Sequence, residues 1–228
     1  MNKKKRDVNL WWKQKNVATH PLCPNLNIFR FLKLNDFDFK KKKKILDMGF
    51  GNGENLLEFK KRGHQIFGIE IRDKLLKFFV KKNKLNKKNF YVCDFTKSLP
   101  SIKKKFHLIL MIDVLCYLDS DIQKKIFKWV NNRLHKDSLF IFSFTQDDIV
   151  RKKDKKIDNW EISKRFYKKI KINFDKKNPM KFLNLNNLLK KFNYTNLKFL
   201  GSHFDVSTYS KRDSSKLRIG RYVLMKKI

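Results

Sequence analysis

Ile45-Leu46-Asp47-Met48-Gly49-Phe50-Gly51-Asn52-Gly53-Glu54-Asn55-Leu56 is the stretch from which the rest of the chain is read. Ile45 to Met48 form a short apolar run that stops at a glycine cluster, and the periodicity from Glu54 to Arg62 predicts a helix directly after it. Glycines placed between a strand and a helix let the backbone come close to a ligand that larger side chains would exclude. The spacing is G-x-G-x-G. A G-x-G-x-x-G loop of the kind that cradles a pyrophosphate would need a third glycine where Glu54 stands, so no such cradle is expected. Asp47 would repel a phosphate, yet its carboxylate suits a zwitterionic ligand carrying an ammonium group.

Outward from this point, strands and helices alternate. Gly63, after Lys60, Lys61 and Arg62, is a helix stop. Strands are expected at Gln65–Ile69, Phe90–Cys93, Phe106–Ile112 and Leu139–Phe144, with helices opened by Asp73 and running from about Asp121 to Leu134. A helix near Leu185–Phe192 and strands at Leu197–Leu200 and near Tyr222–Met225 follow. This alternation predicts a parallel sheet with right-handed crossovers and helices on both faces. The 228 residues form one domain: an N-terminal cap (1–42, with Trp11, Trp12 and a short helix around Leu26 to Leu32), a core (43–145), an insertion (146–182, with Trp160, Phe166 and Tyr167) and a C-terminal part (183–228).

Two further stations accompany the glycine loop. Glu70, at the end of the second strand, can accept hydrogen bonds from both hydroxyls of a ribose. Asp94 and Phe95, at the end of the third, offer an acceptor for an exocyclic amine beside an aromatic face for a purine. Adenine, ribose and an amino-acid tail each find a partner. With these residues in this order the sequence resembles the class I S-adenosylmethionine-dependent methyltransferases, whose first motif is an acidic residue, any residue, then G-x-G-x-G. The resemblance covers about residues 43–145 and implies a Rossmann-like α/β fold with a seven-stranded, mostly parallel sheet whose last strand is antiparallel. It implies S-adenosylmethionine as cofactor, with Asp47, Gly49, Gly51 and Gly53 at its loop, Glu70 at the ribose, Asp94 and Phe95 at adenine, and the backbone around Ile112 and Asp113 beside the methionine end.

The acceptor is less legible. Methyl transfer needs mainly alignment of the nucleophile, and a base only where the acceptor's pKa is high. Asp113, His20 and His203 are the candidate catalytic groups. The fourth strand ends in Met111-Ile112-Asp113-Val114-Leu115, not the Asn-Pro-Pro-aromatic segment of base-amine methylating relatives. Cys116 lacks the proline that precedes the nucleophile of cytosine C5 enzymes. Ser143-Phe144-Thr145 replaces the acids that would hold magnesium in catechol-type relatives, so no metal is expected. The layout resembles enzymes acting on a small molecule or a sugar of a surface polysaccharide, at oxygen or nitrogen. RNA methylation and noncatalytic binding stay open as alternatives.

The formal net charge is +35, which admits nonspecific polyanion binding. Only ten of the 56 basic residues are arginine, and Lys, Asn, Phe and Ile recur throughout, as A+T-rich codons would produce. That makes the charge weak evidence for a nucleic-acid reader, which would favour Arg for bidentate contacts. Cys23, Cys93 and Cys116 show no metal or disulfide spacing, and no signal-like or membrane-length apolar run is present; the expectation is a cytoplasmic protein without membrane insertion.

Overall fold

A computed structural model describes residues 24–145, 183, 185–193, 195–208 and 217–228. The N-terminal Trp11, Trp12 and His20 and the insertion at 146–182 lie outside the described residues. The elements are α1 (Leu26–Leu34), β1 (Lys44–Met48), α2 (Glu54–Lys61), β2 (Gln65–Glu70), α3 (Asp73–Lys82), β3 (Phe90–Val92), β4 (Phe106–Met111), α4 (Ser120–Arg133), β5 (Leu134–Thr145), α5 (Leu185–Leu189), β6 (Leu197–Thr208) and β7 (Leu217–Lys227). They build one seven-stranded sheet in the order β3-β2-β1-β4-β5-β7-β6. Strands β1 to β5 pair in parallel, and β7 lies antiparallel between β5 and β6. This is the arrangement that the resemblance implies: seven strands, mostly parallel, with the last antiparallel.

Strand alternation sends successive side chains to opposite faces, and each face has its own core. Leu46, Met48, Phe140, Phe142 and Phe144 pack with Phe127 and Val130 of α4 and Leu185 and Leu188 of α5. Phe192 stacks on Phe127 with ring centroids 4.0 Å apart. Ile45, Leu108, Leu110 and Ile141 face the other way, onto Ile28 and Leu32 of α1, Leu56 and Phe59 of α2, and Leu76 and Phe79 of α3. The lone acid of β1, Asp47, is on this second face by alternation with Leu46 and Met48.

Three strands exceed their sequence-predicted bounds. β5 begins at Leu134 because Leu134 already pairs with Phe106; the register then shifts before Leu108↔Leu139, with Asp137 at φ +62°. A bulge absorbs the polar residues that masked the strand start. β6 and β7 run to Thr208 and from Leu217 because they pair with each other over their full length, from Leu197↔Lys227 to Thr208↔Leu217. In α1 the helical run around Leu26 to Leu32 is present, but Leu26 itself is exposed while Ile28 and Leu32 carry the burial. Among the described residues no helix is long and apolar enough to cross a membrane.

Candidate cofactor cleft

The parallel strands reverse direction of travel between β1 and β4, and the crevice beyond their carboxyl ends is where open α/β sheets bind ligands. The glycine loop forms one wall. Gly49, Gly51 and Gly53 all hold positive φ, at +85°, +57° and +82°. Their surroundings differ. A Cβ on Gly49 would lie 2.5 Å from Val114 Cγ2, and one on Gly53 would lie 2.2 Å from the Phe79 ring, so these two glycines let the loop pack against β4's extension and α3. A Cβ on Gly51 would meet nothing within 4 Å, because Gly51 faces open space.

That space is a cleft of about 690 Å³, partly open to solvent, lined by Gly49, Gly51, Glu70, Arg72, Asp94, Phe95, Ile112 and Asp113 together with Tyr117 and Leu118. Glu70 is buried and held on both oxygens: Gly51 N–H donates to Oε2 at 3.0 Å, while the Arg72 N–H and Nε each donate to Oε1 at 3.1 Å. The carboxylate therefore ties the glycine loop to the end of β2. Asp94 organises its own turn, with Oδ1 accepting from Thr96 N–H at 3.0 Å and from Thr96 Oγ1 at 2.7 Å.

Asp113 stands at the end of β4 with φ +58°, a left-handed conformation that strains any residue with a Cβ. Ser143 of β5, fully buried, holds it there. Asp113 N–H donates to Ser143 Oγ at 2.9 Å, and the Ser143 hydroxyl donates back to Asp113 Oδ1 at 2.8 Å. Behind the loop, Asp47 is buried and its Oδ1 has no hydrogen-bond partner. Burial first, then the neighbouring charges of Glu70 and Glu54, push its carboxyl up to about 8.

Seven of the sequence-predicted groups, Gly49, Gly51, Glu70, Asp94, Phe95, Ile112 and Asp113, line this one cleft. Asp47 and Gly53 sit behind the loop and do not line it. His203 is exposed on β6, in register with Tyr222 of β7 and through it with Ser143 of β5, two strand spacings or about 10 Å away. Cys116 is buried, with its thiol toward the Asp113 carbonyl. Sequence reasoning missed Arg72, Tyr117 and Ser143. A basic residue two positions beyond the acid that ends β2 was a readable signal for Arg72. Ser143 gave none, since its role depends on the β4–β5 pairing.

With the fold and cleft in view, the molecule is a class I methyltransferase in architecture. A family model described as a methyltransferase domain matches residues 22–198, and the chain belongs to that family. Among solved structures, a SAM-dependent methyltransferase from Methanosarcina mazei is similar at 15% identity and TM-score 0.62, covering 90% of this chain and 99% of that one. Magnesium protoporphyrin IX methyltransferase from Synechocystis with bound S-adenosylhomocysteine is similar at 14% identity and TM-score 0.63, covering 100% and 89%. Geranyl diphosphate C-methyltransferase from Streptomyces coelicolor is similar at 11% identity and TM-score 0.60, covering 89% and 76%. Among curated proteins none matches.

Proposed function

We propose that this chain transfers the methyl group of S-adenosylmethionine to an oxygen or nitrogen of a small-molecule or sugar acceptor. The observation that carries the reading is the convergence of the glycine loop, Glu70, Asp94 and Phe95 on one cleft at the sheet's switch point. The residues fit the cofactor: Gly51 leaves room for it, and Glu70, Asp94 and Phe95 line the same cleft. The cofactor brings an activated sulfonium methyl, so the protein's task is alignment. Glu70 would hold the ribose, Asp94 and Phe95 the adenine. Asp113, fixed by Ser143, would orient the acceptor or take its proton. The cap at 1–42 and the insertion at 146–182 would select the acceptor. Two solved relatives named for small-molecule methyl acceptors support that class, and Cys93 and Cys116, both buried thiols not joined in a disulfide, suit a reducing cytoplasm.

Calorimetry with S-adenosylhomocysteine tests the reading. The wild type is expected to bind at one site, and Glu70→Ala to lose roughly 1.5–3 kcal/mol, the worth of hydrogen bonds to a charged group. Unchanged affinity in the variant would move the ribose elsewhere.

A further inference from the structure

Between Asp113 and α4 the chain makes a single tight turn, Leu115–Tyr117, that forms one wall of the cleft. Val114 at its start packs on Gly49, while Tyr117 and Leu118 line the cleft. Leu115, Cys116 and Leu118 are buried, so the carbonyls of this turn depend on donors within the protein. One side chain supplies them. Gln123 of α4 is only 1% exposed, and its Nε2 donates to the Leu115 carbonyl at 3.0 Å and to the Leu118 carbonyl at 3.1 Å, which uses both of its N–H groups. Its Oε1 accepts from Lys191 Nζ. Lys191 belongs to the turn Lys190–Phe192, which is pinned to α4 by the stacking of Phe192 on Phe127. A glutamine amide can be turned end for end, and the lysine decides between the two orientations. An ammonium only donates, so it keeps the oxygen on its own side and both N–H groups toward the cleft wall. The helix itself does not need this side chain, because the Gln123 backbone N–H already bonds the Asp119 carbonyl at 2.9 Å.

We propose that Gln123 is a positioning residue for the cofactor: through the turn it holds Tyr117 and Leu118 in place against the ligand, and Lys191 keeps its amide aimed. This rests on the S-adenosylmethionine reading and extends it to two side chains outside the cleft. The clasp joins three segments that are distant in sequence, the end of β4, α4 and the turn that follows α5. The shape of the cleft wall therefore depends on the C-terminal part of the chain as well as on the core.

The test is calorimetric affinity for S-adenosylhomocysteine, taken at a temperature where thermal melts show each variant folded. Gln123→Met keeps the length of the side chain and removes its three hydrogen bonds, and is expected to weaken binding by roughly tenfold or more. In a Tyr117→Ala background the same substitution is expected to change affinity by less than about threefold, because the side chain it positions is gone. Unchanged affinity in Gln123→Met, or the same loss in both backgrounds, overturns the positioning role; a lowered Tm alone is what a merely structural glutamine gives. Lys191→Met leaves the buried amide in place and is expected to weaken binding by about threefold or more, with Lys191→Arg restoring wild-type affinity, since a guanidinium also only donates. Wild-type affinity in Lys191→Met, or a Lys191→Arg as weak as Lys191→Met, overturns the clasp even where Gln123→Met does not fold. A wild type that binds no S-adenosylhomocysteine overturns the cofactor reading itself, a result distinct from the others.

Discussion

At the residue scale, the three loop glycines do different work, and substitution separates them. Gly53→Ala puts a Cβ into the Phe79 ring at φ +82°, so it is expected to cost stability by more than the ~1–2 kcal/mol of a left-handed alanine alone. Gly51→Ala meets no atom, so it should cost only about that backbone term while narrowing the cleft and weakening cofactor binding. Denaturant melts alongside calorimetry read the contrast; equal stability losses would show that the loop acts as one strained unit. Asp47 makes a pH argument. Its folded pKa of about 8 lies above the unfolded value near 3.8, so the folded state binds the extra proton between those limits. That stability contribution is full below pH 4 and is lost as pH rises through 8. Asp47→Asn removes the titration, so without ligand the variant is expected to melt higher than wild type at pH 8 to 9, with the gap closing toward pH 4. Parallel Tm-against-pH curves for the two proteins would show that Asp47 is ionised at no cost.

At the element scale, the end of β4 depends on its neighbour. Ser143→Ala removes the partner of the Asp113 N–H while Asp113 stays in the left-handed region, and should cost about 1–3 kcal/mol in urea unfolding. Ser143→Ala with wild-type stability would mean that Asp113 relaxes to an ordinary backbone. The same pair shows how far sequence reading reaches. β1 to β4 and the stations Glu70, Asp94 and Asp113 were legible, because apolar runs bounded by glycine or an acid are local signals. The true extents of β5, β6 and β7 were not, because Leu134 reads as the end of the preceding helix and residues 201–208 as chain beyond the sixth strand, and both become strand only through pairing with β4 and β7. Ser143 escaped for the same reason, because it acts on an acid at the end of the neighbouring strand, whereas Arg72, two positions beyond Glu70, left a local signal.

At the scale of the whole molecule, charge is segregated among the described residues. Helix first turns bring Glu54, Asp73 and Asp121 to the carboxyl edge of the sheet, where Asp47, Glu70, Asp94 and Asp113 also lie. The amino edge is lysine-rich: Lys41, Lys43 and Lys44 act on His107, Lys105 acts on Lys227, and His107 stacks near His135 with ring centroids 4.8 Å apart. His107 is held below its ordinary pKa, by burial first and then by His135 and these lysines, and its Nδ1 accepts the Lys44 N–H at 3.1 Å. A polyanion attracted to this edge sits a strand length away from the cleft. RNA oligomers are therefore expected to bind weakly, with steep salt dependence, and without being displaced by saturating S-adenosylhomocysteine. Filter binding across salt concentrations, with and without the ligand, decides it. Retention of one hairpin far above others near physiological salt, or mutual exclusion of RNA and ligand, would bring a phosphate backbone to the catalytic mouth and turn the acceptor assignment from a small molecule to RNA.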